Sequence, residues 1–540
     1  MYANISYNKK NSTIQYSHYD NGNSGIEGGT KVIEKEHYVP SFYIVSKKEE
    51  DNSLFKNNKG EYLKEIVCDS WSKRKKKIDQ CKDMGILTYG SDYSPENLFI
   101  SDKYNYDISQ HIPNINSVFI DIETESEYGF PDVDLCREKI DIITFYNSNE
   151  KLFYTLALPF NESDFGKFKN KHDDLIYKEF TNEEDLLKYF CKLVNKLSPD
   201  VITGWNSTGF DIPYLFNRIK KIIGDSYLKK LSPFGRAYKT ETEKRNAWGK
   251  REKTFNYTIK GLVDFDYMLL YKQYEGSVKE SYKLDDICEL ELGEKKKEHP
   301  NNCSFREFYR LYWIDYIEYN IQDVRLLNKL EAKKGYLSLS YTLSYKCKCV
   351  FPDNMGTVSK QEIAIYNLLK DKGIIADDDW NKKERIETQF DSYDGAFVKD
   401  PNPGLYKWVI DIDIASLYPS IIRQLNLSPE TKLFQIDCEG LFIDLGEDEE
   451  VLVTYPDDNF KERKAGELMQ EIRKNKWHLS SNNTVFEYKN NKQGVLPEVL
   501  TTWYADRKAN KKKSFEHNEN ALEIAKNGSI IDNDFLKEIT

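Results

Sequence analysis

Two strand-like strings each carry a pair of acids one residue apart: Asp121 and Glu123 in Val118–Thr124, and Asp411 and Asp413 in Trp408–Ile414. Side chains alternate across a sheet, so each pair emerges on one face, its members some ~7 Å apart along the strand. Paired acids at a strand end suit hard divalent cations, and several carboxylates converging on one point suit phosphoryl chemistry with two such ions. An Asp-x-Glu after a strand is also a common accident, so the pairs need company. Asp211 supplies some, closing the string Ile202–Asp211 at the mouth of a predicted helix; alone it reads as an ordinary N-terminal helix charge. Tyr319 and Asp323 supply more, since four-residue spacing puts both on one helix face; alone they read as a half-buried helix.

The elements that must position these groups follow an α/β pattern from Val118 to about 339. Apolar strings predict strands at Val118–Ile122, Ile140–Tyr146 and Leu152–Leu158, and the helical period predicts helices at Glu183–Leu197 and Asp315–Leu330. Before this region, short strands with Gly- and Asn-rich turns and a basic helix near 70 to 84 predict a small mixed domain over 1–108. After it, a stretch of weaker pattern covers roughly 340 to 390. Tyr406 to Ile412 then predicts a buried strand, with Ile410, Ile412 and Ile414 facing a core, followed by a helix through Leu417–Leu425. Pro497 falls in the first turn of a long polar helix that Gly528 would end. Arg507 and Lys511 lie one turn apart on it and can grip phosphate, the Arg fork bidentately; a basic solvent face is the plainer alternative.

The 540 residues exceed what a single core usually organises, predicting three or four domains. With 39% apolar and 31% charged residues the chain is globular rather than disordered. A formal net charge of −11 excludes binding nucleic acid through overall charge, leaving local basic runs such as Lys73–Lys77, Lys295–Lys297 and Lys511–Lys513, which in most proteins are solvated faces. Nine cysteines without paired spacing suggest reduced thiols, and Cys347 and Cys349 lack further zinc ligands nearby. No signal peptide, membrane-length apolar run or G-x-x-x-x-G-K-[ST] loop is present, which speaks against a membrane partner and an ATP-driven motor.

In order and spacing, the Asp121, Asp211 and Asp323 segments resemble the three exonuclease motifs of the family B DNA polymerases and their DnaQ-like relatives. Trp408–Arg423 resembles the family's polymerase motif A, and Asp506–Lys511 the start of its fingers. Ser281–Asp285, Gly395–Lys399 and Leu425–Thr431 are further anchors, and the likeness is strongest to the replicative polymerases of T-even-like bacteriophages. The resemblance implies a multi-domain α/β protein: an N-terminal domain over 1–108 completed by about 340–385, an RNase H-like (DnaQ-like) 3′–5′ exonuclease domain over 109–339, a partial palm over 386–490 and the first part of the fingers over 491–540. It implies that Asp121, Glu123, Asp211 and Asp323 bind Mg²⁺, with Mn²⁺ as an alternative, that Tyr319 orients the attacking water, and that Gly204 and Asn206 lie against the terminal nucleotide. Asp413 and the Ile414 carbonyl become polymerase metal ligands, Leu417 and Tyr418 the floor under the incoming sugar, and Arg507 and Lys511 the triphosphate grip. Primer-template, single-stranded DNA and deoxynucleoside triphosphates are the implied partners, in the cytoplasm of an infected bacterium.

Family members continue with Lys-x3-Asn-Ser-x-Tyr-Gly, a Tyr-Gly-Asp-Thr-Asp-Ser hairpin and a thumb, none of which occurs in this sequence. Tyr89–Ser94 has a superficial likeness to that hairpin but reads as a turn. The expectation is therefore a polymerase completed by a second chain, which would also bring any sliding clamp, with an incomplete reading frame as the runner-up explanation. A stand-alone exonuclease and a non-catalytic DNA-binding subunit are the alternatives. Asp411, outside the motif, reads as a solvated or hydrogen-bonded strand residue, with assistance to metal binding as the alternative, and one of Lys295 to Lys297 is a candidate contact to the scissile phosphate.

Overall fold

The computed structural model describes residues 2–20, 30–46, 54–104, 114–127, 129–245, 251–297, 303–378, 399–414, 416–456 and 459–527. Of the sequence anchors, Gly395–Val398 and Gly528 lie outside these residues. The chain forms two compact units, one of residues 1–44 and 65–367, the other of residues 45–64 and 368–540.

The first unit is built on a six-stranded mixed sheet in the order Leu175–Glu179, Leu152–Ala157, Ile140–Asn147, Ser117–Thr124, Val201–Thr203, Val263–Asp264. The strand carrying Asp121 is central. It runs antiparallel to Ile140–Asn147 and parallel to Val201–Thr203, and its register slips between Glu123 and Thr124, where the strand ends. Period-two alternation sorts its side chains between two cores. Val118, Ile120 and Ile122 pack with Leu186, Leu187 and Leu215 from the helices Glu183–Leu197 and Asp211–Ile222, whereas Phe119 packs with Ile317, Ile321 and Val324 of the helix Trp313–Lys334. Asp121 and Glu123 share the face of Phe119 and so meet that second helix.

Local signals account for the helix ends. Asn182 caps Glu183–Leu197 by accepting from the Asp185 N–H, with acids through the first turn, and Gly335 closes Trp313–Lys334 in the left-handed conformation. The stretch of weak pattern after 340 is more regular than expected: it continues in the helices Tyr336–Cys347 and Thr357–Asp371. Its Ser- and Tyr-rich composition blurs the apolar period because the tyrosines are themselves buried, Tyr345 donating its hydroxyl to the Tyr2 carbonyl and Tyr2 donating to Cys349 O at 2.8 Å. The N-terminal part supplies a meander, Tyr2–Asn8, Thr13–Asp20 and Thr30–His37, with the helix Trp71–Asp83 where the basic helix was expected.

The second unit contains a five-stranded antiparallel sheet over residues 432–486, backed by the helix Ala465–Asn475, and the helices Leu417–Gln424 and Val495–Asn527. Asn426 ties the end of the first of these helices to the segment that leads into the second. It accepts from the Gly494 N–H at 2.8 Å and donates to the carbonyls of Glu487 and Lys492, and a side chain on Gly494 would stand 2.7 Å from Ser428 Cβ. The buried strand expected over Tyr406–Ile412 does not form. Residues 408–414 are irregular, with Trp408 96%, Ile410 83% and Ile412 84% exposed. The apolar alternation is real, but a strand needs a hydrogen-bonded neighbour, and no strand among the described residues pairs with this segment.

Candidate functional site: a buried carboxylate cluster

Single carboxylate oxygens of Asp121, Glu123 and Asp323 lie within 4.8 Å of one another. The central strand delivers the first two and the helix Trp313–Lys334 the third, four residues after Tyr319 on the same face. Asp211 stands beside this triple rather than in it. As the first residue of its helix it accepts from the Ile122 N–H at 3.1 Å, the amide between Asp121 and Glu123.

Crowding of acids away from water raises their proton affinity. Burial, then the neighbouring Asp211 and Asp323, hold the Asp121 carboxyl well above the usual range; burial, then Asp121, Asp323 and Asp141, do the same to Glu123. Burial pushes Asp211 up to about 7, against the pull of the Ile122 amide. Burial also lifts Asp323, which Lys296 restrains to about 6. Four such groups gain little by meeting unless a cation joins them. Among the described residues the Oδ1 atom of buried Asp323 has no hydrogen-bond partner, so the cluster is both acidic and under-coordinated. A hard oxygen donor set with an unfilled lone pair fits a divalent cation of the Mg²⁺ or Mn²⁺ kind.

Two groups complete the surroundings. Lys296 extends its ammonium to Asp323 Oδ2 at 2.5 Å and lies 3.4 Å from the Tyr319 hydroxyl. Burial works against its charge, but Asp323, Tyr319 and Asp121 outweigh this and keep it protonated. Its backbone N–H donates to Asp285 at 2.7 Å, which ties the Ser281–Asp285 anchor to the lysine loop. Within the run Lys295–Lys297, Lys295 pairs with Glu289 and Lys297 with Asp315, whereas Lys296 reaches the cluster through Asp323. Asn320 escaped sequence reasoning: its amide donates to Asp121 Oδ2 at 2.6 Å. Its position three residues before Asp323 was the available signal.

Gly204 and Asn206 have local roles at the site's edge. A Cβ on Gly204 would stand 2.7 Å from the Ile120 carbonyl, so glycine permits the close approach of this turn to the central strand. Asn206 takes a left-handed φ of 66°, its N–H held by Asp266, whose carboxylate also binds Thr208 and caps the next helix. Phe210 meets the exposed ring of Phe130 at 5.3 Å.

The second set of predicted residues is arranged quite differently. Asp411, Asp413 and Ile414 are exposed on the irregular segment, and Leu417 and Tyr418 open the following helix with Tyr418 68% exposed. Arg507 reaches back from the long helix to the Ser416 hydroxyl at 3.4 Å, and Arg423 bonds Thr501 at 3.0 Å while stacking over Tyr504. Lys511 lies one turn beyond Arg507, exposed. Arg507 thus borders the acid-bearing segment, but no carboxylate cluster forms there among the described residues.

Residues 62–287 match the DNA polymerase family B exonuclease domain, and residues 350–526 match DNA polymerase family B. The chain belongs to family B of the DNA polymerases and carries an exonuclease domain with part of a polymerase domain. Among individual relatives, it is 34% identical to the DNA-directed DNA polymerase of Escherichia phage RB69 over 373 residues, 66% of this chain and 40% of that one. It is 27% identical to the enzyme of the same description from Enterobacteria phage T4 over 521 residues, 93% of this chain and 53% of that one. The DNA polymerase catalytic subunit of Epstein-Barr virus (strain B95-8) is 26% identical over 421 residues, 74% and 37% of the two chains. The chain therefore spans about half the length, or less, of these curated relatives. No helix among the described residues is long and apolar enough to cross a membrane.

Proposed function

We propose that this chain is the proofreading portion of a phage replicative DNA polymerase, removing nucleotides from 3′ ends of single-stranded DNA in the cytoplasm of an infected bacterium. The observation that carries this reading is the convergence of Asp121, Glu123 and Asp323, with Asp211 against them, on one under-coordinated point. A pair of Mg²⁺ ions bound at this point would supply charge neutralisation for phosphodiester hydrolysis. Asp121, Glu123 and Asp323 would hold the cations, with Asp211 bracing the strand between the first two through the Ile122 amide. Tyr319 orients the attacking water through its hydroxyl. Asn320 aims Asp121, and Lys296 balances the anionic cluster and offers an ammonium to the scissile phosphate. The domain limits given by the resemblance, with exonuclease over 109–339 between N-terminal and palm segments, belong to the same proposal.

We further propose that residues Leu405–Ile414 take up their strand against an acid-bearing β element supplied by a second polypeptide, which also brings any contact to a sliding clamp. Asp413 and the Ile414 carbonyl would then join that element's acids over a deoxynucleoside triphosphate bedded on Leu417 and Tyr418 and held by Arg507 and Lys511. Seven apolar side chains between 405 and 414 exposed to water support this reading, because a soluble unit rarely leaves such a run uncovered.

The test is end-labelled single-stranded DNA with Mg²⁺. The parent chain shortens it from the 3′ end, and Asp121→Ala does not; equal rates for the two would sink the nuclease assignment. Primer extension by the chain alone, then with a candidate second polypeptide, tests the rest: extension only in the mixture is expected, and extension by the chain alone contradicts the split arrangement.

A further inference from the structure

One surface is left unused by both sites. The helix Trp71–Asp83 carries six cationic and two anionic residues in a chain whose overall charge is −11. Its inner side is settled: Arg74 is buried, donating Nε to the Pro40 carbonyl at 2.8 Å beneath the rings of Trp71 and Phe42, and Ile78 is buried one turn on. Its outer side presents Lys75, Lys76 and Lys77, all exposed, and among the described residues none of the three enters an ion pair. Lys73, by contrast, is neutralised by Asp69 at 2.6 Å.

The placement of these charges is unfavourable for the helix itself. No acid occupies its first turn, and cations there oppose the dipole that favours anions at an N-terminus. The neighbouring turn adds more of the same sign. Ser12 accepts from the Trp71 N–H at 2.8 Å and so holds Lys9 and Lys10, both exposed, at the helix start, with the Lys9 ammonium 5.0 Å from the centre of the half-buried Trp71 ring. Asp79, one turn from Lys75, is the nearest acid on the helix and leaves the patch clearly positive.

We propose that Lys75, Lys76 and Lys77, together with Lys9 and Lys10, bind the phosphate backbone of single-stranded DNA at a second contact separate from the carboxylate cluster. Flexible lysines without planar readout groups bind by charge, so the contact is independent of base sequence and falls steeply with salt. This contact holds a strand without cutting it, and it stands or falls separately from the nuclease assignment.

The test uses the full chain in EDTA, with labelled oligodeoxynucleotides and fluorescence anisotropy over a salt series. Lys75→Gln/Lys76→Gln/Lys77→Gln is expected to weaken binding of a long single strand about tenfold at low salt and to flatten the log–log salt slope by about 2, the value for three released cations on a single strand. Lys9→Gln/Lys10→Gln should shift both in the same direction by less. With Mg²⁺ restored, hydrolysis of a trinucleotide stays at the parental rate in the triple variant. An unchanged slope, tighter binding of an RNA of the same length and sequence than of the DNA, or equal losses on trinucleotide and long strand would each overturn the proposal. Loss of hydrolysis in Asp121→Ala with the salt slope intact separates the two assignments.

Discussion

Asp121 and Asp413 sit in nearly the same local string, an alternating Ile-Asp run with a second acid two residues away, yet one lies in the middle of a six-stranded sheet and the other in open solvent. Around Asp121, strands pair on both sides and a 22-residue helix crosses the face that carries the acid, so the carboxyl is forced against Glu123 and Asp323. Around Asp413 no strand among the described residues pairs and no helix covers the acidic face. A carboxylate pair becomes a metal site only when the surrounding fold pushes the acids together against their repulsion, and local sequence does not perform that work.

The contrast can be broken or sharpened by experiment. The largest effect concerns accessibility. Chymotrypsin should cut at Leu405, Tyr406 or Trp408 about 10⁴-fold faster than at Phe119 or Phe145, because the latter require opening of a core with several kcal/mol of stability; mass spectrometry of timed digests reads the order, and comparable rates would mean that 405–414 is folded. Next is chemistry: Asp323→Ala should lower 3′-end hydrolysis of single-stranded DNA with Mg²⁺ about 10³-fold or more, the scale of losing a core group of a two-ion site. Third is charge balance. Lys296→Met leaves Asp323 and its neighbours uncompensated and should cost about 2 kcal/mol in EDTA, less than for a fully buried pair because the lysine is partly exposed; urea melts should show Mg²⁺ restoring much of the loss, since a bound cation replaces the missing one.

Two smaller effects test how finely the cluster's surroundings are set. Gly204→Ala drives a methyl toward the Ile120 carbonyl and should cost about 1–2 kcal/mol in the same melts. Asp264 beside the site is pushed up to about 8, chiefly by burial, with Asp266 and Asp211 adding and the Ser207 hydroxyl opposing. The folded state therefore binds a proton that the unfolded state has released, and stability drains away as pH rises from the ordinary Asp range through about 8. Asp264→Asn should remove that slope, so its melting temperature relative to the parent rises between pH 6 and 9; a pH-independent difference would contradict the enclosed carboxyl.

Much of the exonuclease domain was legible because its signals are redundant. Val118–Ile122 reads as a strand by alternation, Glu183–Leu197 by period and cap, and the Tyr319–Asp323 spacing puts two site residues on one face whatever the helix packs against. The expected strand at Tyr406–Ile412 rested on alternation alone, and alternation names the face a strand would show without supplying its neighbour. The helices beyond 336 were obscured for the opposite reason: buried tyrosines and serines satisfied by backbone partners look polar in a hydropathy pattern. Asn320 and Lys296 show the same limit, since an amide and an ammonium acquire roles only from the carboxylates set opposite them.

What the amino-acid order settles by itself is the set of acids, their faces on strand and helix, and the family to which they belong, because these depend on contacts within a few residues. What only the tertiary structure decides is which acids share a point: Asp121, Glu123 and Asp323 do, Asp211 braces them, and Asp413 joins no carboxylate cluster among the described residues. Coulomb repulsion and desolvation oppose every such meeting, so it happens only where long-range packing around the acids is strong enough to hold them together.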